Sequence, residues 1–353
     1  MVKRLLPFLS LLIILLPATG QIPDSLVKDE ASPKAGSFGL FENEDLLDVS
    51  LHFDLSTYFR KKPKDEYLKA VLTINPGQND SMSRKVRLKT RGEFRNKHCL
   101  YAPIELNFKG VDFGYSDLDS IGKLKLVTQC STGIINENYV LKEYLVYKLY
   151  QALTDTSFRV RLLRVTFYDT GKKRKPIVQY GIFLEPLGML ARRTNTEEVK
   201  NPGINQKHII PFVMDRVAIF SYMIGNFDWS VPGQHNIKVL KLSDKPLGIA
   251  VPYDFDWSGV VNASYAIPAE VMGITNVRQR LFQGICRSKD VYDNDLDIFL
   301  AKKEAFLKII NDFDYLKPAE RADVSSFLNE FYSQLKGNRD NILLNFISKC
   351  KHL

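Results

Sequence analysis

The stretch NENYVLKEYLVYKLYQAL, residues 136–153, is the first part of this chain with a clear helical pattern. Its apolar residues recur at helical spacing, from Val140 through Leu145 to Leu149, so it predicts a helix. Before it, short segments of mixed apolar and polar residues alternate with turn formers such as Asn75-Pro76-Gly77, which is typical of antiparallel strands. We predict these strands at 48–55, 66–74, 85–91, 101–108 and 122–128.

The pattern changes after this helix. Two further strands are predicted at 158–168 and 176–184, and a polar linker follows at 193–206. Beyond the linker, apolar residues at helical spacing predominate. We predict helices at 208–224, 295–310, 319–335 and 338–348, with two short strands at 236–242 and 247–252. The sequence therefore predicts an α+β chain with a strand-rich half over 46–192 and a helical half over 193–353.

The N-terminus has the three parts of a secretory signal peptide. Lys3 and Arg4 precede an apolar run over 5–16, and small residues at 18–20 supply a cleavage site before Gln21. An uncleaved anchor is the alternative, although the run is short for a bilayer span. We predict a signal peptide at 1–20 and a flexible lead at 21–45. The mature chain is expected to be exported to the periplasm, the cell surface or the outside, with no integral membrane span.

Charge and cysteine content narrow the partners and the compartment. The formal net charge is +9, and the densest basic cluster, residues 172–175, lies in a predicted hairpin turn. We interpret that cluster as solvated and expect no nucleic-acid partner. Four cysteines allow two disulfides in three connectivities. We favour Cys99–Cys130 and Cys286–Cys350 because each pair then lies within one half of the chain, and the lack of a C-x-x-C spacing argues against zinc.

Two short acidic motifs bring aspartates together with an asparagine. The first is Asn226-Phe227-Asp228-Trp229, followed by His235-Asn236, and the second is Tyr253-Asp254-Phe255-Asp256-Trp257. Phosphoryl transfer needs these residue types, because a carboxylate accepts a proton from the attacking hydroxyl while Asp and Asn oxygens hold Mg²⁺. Alternatively, both motifs are turns whose Asp and Asn side chains bond to their own backbone.

These motifs are similar to the catalytic and metal segments of the spore-coat kinase (CotH) family, an atypical kinase group that uses ATP. The run QYGIFLE, residues 179–185, resembles a strand of that family, and Arg91-Gly92 resembles its arginine-glycine turn. The similarity covers roughly residues 85–260. It implies a bilobal protein-kinase-like fold, with a strand-rich N-terminal lobe and a helical C-terminal lobe. It also implies a phosphotransferase with ATP and Mg²⁺ or Mn²⁺ as cofactors.

The resemblance implies roles for individual residues, with Asp228 as the catalytic base. The implied metal ligands are Asn236, Asp254 and Asp256, and the residues beside the nucleotide are Arg91, Lys125, Glu143 and Glu185. Lys125 on a strand and Glu143 on the following helix imitate the lysine–glutamate ion pair of kinases. Lys123 has the same strand parity and could replace Lys125. Both lysines could instead be solvated on an edge strand, with Glu143 in a helix-surface pair.

The chain departs from protein kinases in two respects. Asp228 and Asn236 are eight residues apart, whereas kinases place the base and the metal-binding asparagine five apart. No G-x-G-x-x-G motif is present, so the basic turn 89–95 is the candidate for covering phosphates, unless it is a plain hairpin loop. His235 is interpreted as a structural hydrogen-bonding group.

We therefore expect an exported, ATP-dependent phosphotransferase that acts on a protein or envelope acceptor. One alternative is a catalytically inactive kinase-like module for binding or assembly in the cell envelope. A metal-dependent phosphohydrolase would use the same aspartates with water as the acceptor. A structural envelope protein would need none of these residues.

Overall fold

The computed structural model describes residues 36–201 and 203–352. The predicted signal peptide and most of the predicted flexible lead lie outside these residues. The rest of the lead, 36–45, is described, and its Leu40 and Phe41 are buried in the first hydrophobic core. The chain therefore joins the hydrophobic core before residue 46, where the sequence predicts that the strand-rich half begins.

Seven strands of the strand-rich half form a closed barrel. They are β1 (Leu47–Phe53), β2 (Leu68–Ile74), β3 (Met82–Thr90), β4 (Ile104–Asn107), β5 (Lys123–Thr128), β6 (Val160–Asp169) and β7 (Ile177–Leu184). Their order around the barrel is β1-β2-β3-β4-β5-β7-β6. Neighbouring strands are antiparallel except β1 and β6, which pair in parallel from Leu47 with Leu163 to Phe53 with Asp169 and so close the barrel.

Helices and a second, three-stranded sheet form the other main elements of regular structure. The helices are α1 (Leu55–Lys61), α2 (Phe94–His98), α3 (Ser116–Asp119), α4 (Ile134–Gln151), α5 (Leu187–Arg193), α6 (Pro211–Ile224), α7 (Lys289–Ala301), α8 (Lys303–Asn311), α9 (Pro318–Gly337) and α10 (Arg339–Lys349). The second sheet has the order β10-β9-β8, with β8 (Glu197–Glu198), β9 (Ile237–Lys241) and β10 (Ile249–Pro252). In the described ranges, each helix is too short or too polar to cross a membrane.

The closed barrel shows that the predicted bilobal, protein-kinase-like fold is wrong. That prediction rested on the resemblance to the CotH family and on the order of strands and helices along the chain, and neither specifies which strands become neighbours. Here β6 lies beyond β7 and pairs with β1, so the sheet closes on itself and its strand edges are satisfied. The strand-rich half is therefore a mixed barrel.

Helix α4 covers one side of the barrel and joins it to the helical half. Residues such as Leu51 and Phe167 point inward and fill the barrel interior. On β6 and β7, Leu162 and Ile182 point outward, yet they are also buried, in a second core that includes the apolar face of α4. Burial on both faces explains the consecutive apolar residues Leu162-Leu163 on β6 and Ile182-Phe183-Leu184 on β7. The second core continues into α6, which is buried along most of its length.

Two disulfides confirm the predicted pairing. Cys99, at the end of α2, is joined to Cys130, just beyond β5, with the Cα atoms 4.6 Å apart. Cys286 is joined to Cys350 at the end of α10, with the Cα atoms 4.8 Å apart. Disulfides persist in oxidising compartments, so both bonds are consistent with an exported chain.

Gly181 on β7 tests the packing of the barrel wall. A Cβ atom there would lie 3.1 Å from side-chain atoms of both Leu126 and Val165. We expect Gly181→Ala to lower the free energy of unfolding by about 1–3 kcal/mol through overpacking, measured by urea denaturation. Gly171→Ala is the control, because its Cβ would meet its nearest neighbour, the Asp169 carboxylate, at an ordinary contact distance of 3.5 Å. Equal stabilities of the two variants would contradict this packing.

Candidate functional site

The first acidic motif forms the loop that follows α6. Asn226 Oδ1 accepts a hydrogen bond of 3.1 Å from the backbone N–H of Asp228. A small hairpin then runs from Ser230 to His235, whose backbones exchange two hydrogen bonds of 2.9 and 3.0 Å. Because the ends of this hairpin lie side by side, Asn236 returns to Asp228 although eight residues separate them in sequence.

Asp228 is held from two sides within this loop. Its Oδ1 lies 2.8 Å from Nε2 of His235, and its Oδ2 accepts a 2.9 Å hydrogen bond from Nδ2 of Asn236. Burial raises the pKa of Asp228, the contacts with His235 and Asn236 oppose this shift, and the charge of Asp254 adds to it. A carboxylate with a raised pKa is a better proton acceptor than an ordinary aspartate. Since Asn236 uses its Nδ2 here, its Oδ1 is the atom that can ligate a cation.

Strands β9 and β10 bring the second acidic motif beside the first. The Tyr253 N–H donates to the Asn236 carbonyl at 3.0 Å, which extends the antiparallel ladder by one pair. Asp254 follows in a left-handed backbone conformation, with φ 64°, that is uncommon for residues other than glycine. Its N–H donates to the Tyr147 hydroxyl on α4 at 2.8 Å, while its carboxylate accepts no hydrogen bond within the described residues. Such backbone outliers cluster at functional sites.

Glu143 and Asp256 add two buried carboxyl groups. Glu143 on α4 is 1 % exposed, and its Oε1 has no hydrogen-bond partner in the described structure. Burial raises the pKa of Glu143 well above its usual value, and the charges of Asp256 and Asp254 raise it further. Burial and the Asp254 charge likewise raise the pKa of Asp256 to about 7, although the Tyr265 hydroxyl donates to Asp256 Oδ2 at 3.0 Å. We call Asp228, Asp254, Asp256 and Glu143 the acidic cluster.

Arg95 on α2 supplies positive charge to the acidic cluster. Its side chain is buried, its Nη2 donates to the Thr128 carbonyl at the end of β5, and its Nε has no partner among the described residues. Burial by itself lowers the pKa of Arg95, but the surrounding acidic groups, including Asp256 and Glu143, raise it overall. The Cys99–Cys130 disulfide joins the end of α2 to the segment after β5, so it holds Arg95 in place.

Lys125 and Arg91 bring further positive charge from the barrel. Burial lowers the pKa of Lys125 to about 8, the charge of Arg91 lowers it further, and Asp254 opposes the shift. The Lys125 Nζ lies 4.9 Å from the centre of the Tyr253 ring. Lys125 and Glu143 are not joined by an ion pair, and the positive charges that act on Glu143 are those of Arg95 and Arg91. The predicted kinase-type pair is therefore not formed in this structure.

The other two predicted candidates near the nucleotide lie apart from the acidic cluster. Lys123, the alternative to Lys125, pairs with Glu105 at 3.2 Å on the barrel surface. Glu185 accepts bonds of 2.8 and 3.0 Å from Arg193 and one of 3.0 Å from the Arg159 N–H. Its side chain is buried and fully occupied in fixing the end of β7 to α5. The structure thus brings Asp228, Asn236, Asp254, Asp256, Glu143, Lys125 and Arg91 together, but not Glu185.

Sequence reasoning missed two tyrosines and the role of Arg95. Tyr147 lies one turn after Glu143 on the same face of α4, so helical periodicity could have identified it. Tyr265 reaches Asp256 from an irregular loop, for which the sequence carries no signal. Arg95 was visible in the sequence only as one charge of the basic turn 89–95.

The oxygen atoms of the acidic cluster suit a hard divalent cation. Asp254 offers a free carboxylate, Glu143 an unpaired Oε1, and Asn236 its Oδ1. Among the described residues, the one group of three His, Cys, Asp or Glu ligand atoms within 4.8 Å of one another is formed by Cys286, Cys350 and His352. The two cysteine sulfurs of this group are joined in a disulfide, so the group is not a metal site. A cation at the acidic cluster could therefore contact at most two of its carboxylates at once, with phosphate and water as the other ligands, as is usual for Mg²⁺.

No known family model matches the chain, and no curated protein matches it at a significant level. The resemblance of the two acidic motifs to the CotH family remains a hypothesis. The chemistry of the site is therefore inferred from its own residues.

Charge repulsion in the acidic cluster can be tested at Glu143. A raised pKa means that the folded state holds this proton more tightly than the unfolded chain, so stability falls as the pH rises above the ordinary value of 4.5. In EDTA, we expect Glu143→Gln to show a smaller fall in melting temperature between about pH 5 and pH 8 than the wild type. Glu304→Gln, at an exposed site, is the control. A wild-type profile for Glu143→Gln would contradict a buried, protonated Glu143.

Proposed function

We propose that this chain is an exported phosphotransferase that uses ATP with Mg²⁺ or Mn²⁺ and phosphorylates a protein or envelope acceptor. The supporting observation is that the charges of three cationic side chains, Arg91, Arg95 and Lys125, act on Glu143, Asp254 and Asp256 of the acidic cluster. Phosphoryl transfer depends on both signs of charge, because carboxylates hold the metal and accept a proton while cations bind the phosphates.

The proposed roles follow the resemblance to the CotH family, and the free atoms of Asp254 and Asn236 agree with it. Asp254, Asn236 and Asp256 would hold the metal, which neutralises charge on the transferred phosphate. Lys125 and Arg91 would contact the phosphates from the barrel side. Asp228 would take the proton of the acceptor hydroxyl as that oxygen bonds to the γ-phosphorus and the bond to ADP breaks. The raised pKa of Asp228 favours this role, since it increases the basicity of the carboxylate.

Two further observations support the donor and the location. The similarity of both acidic motifs to the CotH family favours ATP as the phosphate donor, whereas the closed barrel offers no support from kinase architecture. The predicted signal peptide and the two disulfides favour export.

The position of Arg95 favours a second candidate, a catalytically inactive binding or assembly module. Its buried guanidinium already neutralises part of the acidic cluster, so the folded chain does not need a metal for charge balance. Thermal shifts with ATP and Mn²⁺ and labelling with radioactive ATP separate the two candidates. Nucleotide protection with transfer of label supports the enzyme, and the absence of both supports the module.

Asp254→Ala tests the proposed metal site. Saturating ATP and Mg²⁺, at about 100 times the dissociation constant, should stabilise the wild type by about 2.7 kcal/mol. We expect this stabilisation to disappear in Asp254→Ala while the free protein remains folded, because the freest carboxylate of the site is lost. Asp244→Ala, at an exposed position of the same half, should keep the wild-type response. Unchanged nucleotide protection in Asp254→Ala would remove this residue from the site.

Asp228→Asn tests the proposed base. Asparagine keeps the shape of the side chain but cannot accept the proton, so turnover should fall by about 100-fold or more with little change in nucleotide affinity. Initial rates of label transfer and calorimetric titration with ATP measure the two quantities separately. Equal losses of rate and affinity would make Asp228 a ligand. If the wild type releases inorganic phosphate equally fast with and without an acceptor, the protein is a phosphohydrolase.

A further inference from the structure

A cavity of about 370 Å³ lies away from the acidic cluster, between the start of α6 and the C-terminal end of the chain. Its walls come from the turn before α6, from the segment 285–287 and from residues 351–352 beyond the second disulfide. The basic residues that line it are Lys207, Arg287, Lys351 and His352. None of its described lining residues is acidic, so the lining itself favours an anion, although Asp215 behind the wall pairs with Arg287.

Two basic side chains of the wall, Arg287 and Lys351, have hydrogen-bond donors or a charge that no described group pairs with. Arg287 donates from Nε to both carboxylate oxygens of Asp215, at 3.1 and 3.0 Å, and its two Nη groups make no hydrogen bond within the described ranges. Lys351 pairs with no carboxylate in the described part of the chain, and partial burial lowers the pKa of its ammonium. Together these groups can bind one phosphate or carboxylate.

A buried amide in the same wall requires a hydrogen-bond donor. Gln206 is 2 % exposed, and its Nε2 donates to the Gln283 carbonyl at 3.2 Å. Its Oε1 is buried without a partner in the described structure, which costs free energy unless a ligand donates to it. The nearby positive charges would repel an ammonium donor, so a neutral hydroxyl suits this position better.

We propose that this cavity binds a small polyol that carries a phosphate or a carboxylate. The anionic group contacts Arg287 and Lys351, and a hydroxyl donates to Gln206 Oε1. The volume is in the range of sites for small molecules, and a monosaccharide derivative fits within it. This site is separate from the proposed phosphotransferase site and does not depend on it.

Isothermal titration of the full exported chain tests the proposal with four probes. We expect glucose 6-phosphate or glucuronate to bind with a dissociation constant of about 1 mM or lower, and glucose and inorganic phosphate to bind at least about 10-fold more weakly. Lys351→Met should weaken the binding of the charged sugar by about 10-fold or more, because it keeps the apolar stem and removes the charge. Lys349→Met, on the last turn of α10 and outside the cavity, is the matched control and should bind like the wild type.

Three results would overturn the proposal. They are failure of both charged sugars to bind at about 10 mM, unchanged affinity in Lys351→Met, and inorganic phosphate binding as tightly as glucose 6-phosphate. The Asp254→Ala variant separates this site from the acidic cluster. It should bind the charged sugar normally, and loss of that binding would place the sugar at the acidic cluster instead.

Discussion

The burial of helix α4 is the constraint on which the rest of the structure depends. Strands β6 and β7 pack against one side of this helix, and the helical half packs against the other. Its Tyr147 meets Phe255 with ring centres 4.9 Å apart, and its Tyr144 stacks on Phe313 at 5.4 Å. Each large apolar side chain buried in this way contributes about 1.5–3 kcal/mol. The helix therefore ties the barrel to the helical half and presents Glu143 to the acidic cluster from a rigid support.

The acidic cluster costs stability that the surrounding structure must offset. Burial and then the like charges of Asp256 and Asp254 raise the pKa of Glu143, and the left-handed backbone of Asp254 adds strain. Arg95 relieves part of the repulsion, and the Cys99–Cys130 disulfide keeps α2, which carries Arg95, against the barrel. Apolar groups of similar volume are often more stable than buried charges, so packing alone does not account for this arrangement. The energetics are those expected of a binding or catalytic site.

The sequence predicted the long elements and several site residues for identifiable reasons. The helix at residues 136–153 and the strands around it have strong periodicity, so α4, β6 and β7 lie close to their predicted bounds. Short helices such as α2 and α5 were missed because five or seven residues carry little periodic signal. The helix predicted at 295–310 is divided into α7 and α8 at Lys302, because the apolar pattern does not show where a helix changes direction. Asp228, Asn236, Asp254 and Asp256 were recognisable because two short motifs contain them.

By itself, the sequence determined the succession of strand-rich and helical halves and the local positions of the acidic motifs, and it favoured the pairing of cysteines within each half. These properties depend on residue type and short-range spacing. The tertiary structure decided that β6 pairs with β1 and closes the barrel, because strand partners are chosen by contacts between distant residues. It also decided that the charge of Arg95, rather than that of Lys125, acts on Glu143, and that Glu185 belongs to a separate ion pair with Arg193. Which charges act on one another depends on which distant backbone segments pack together in the fold.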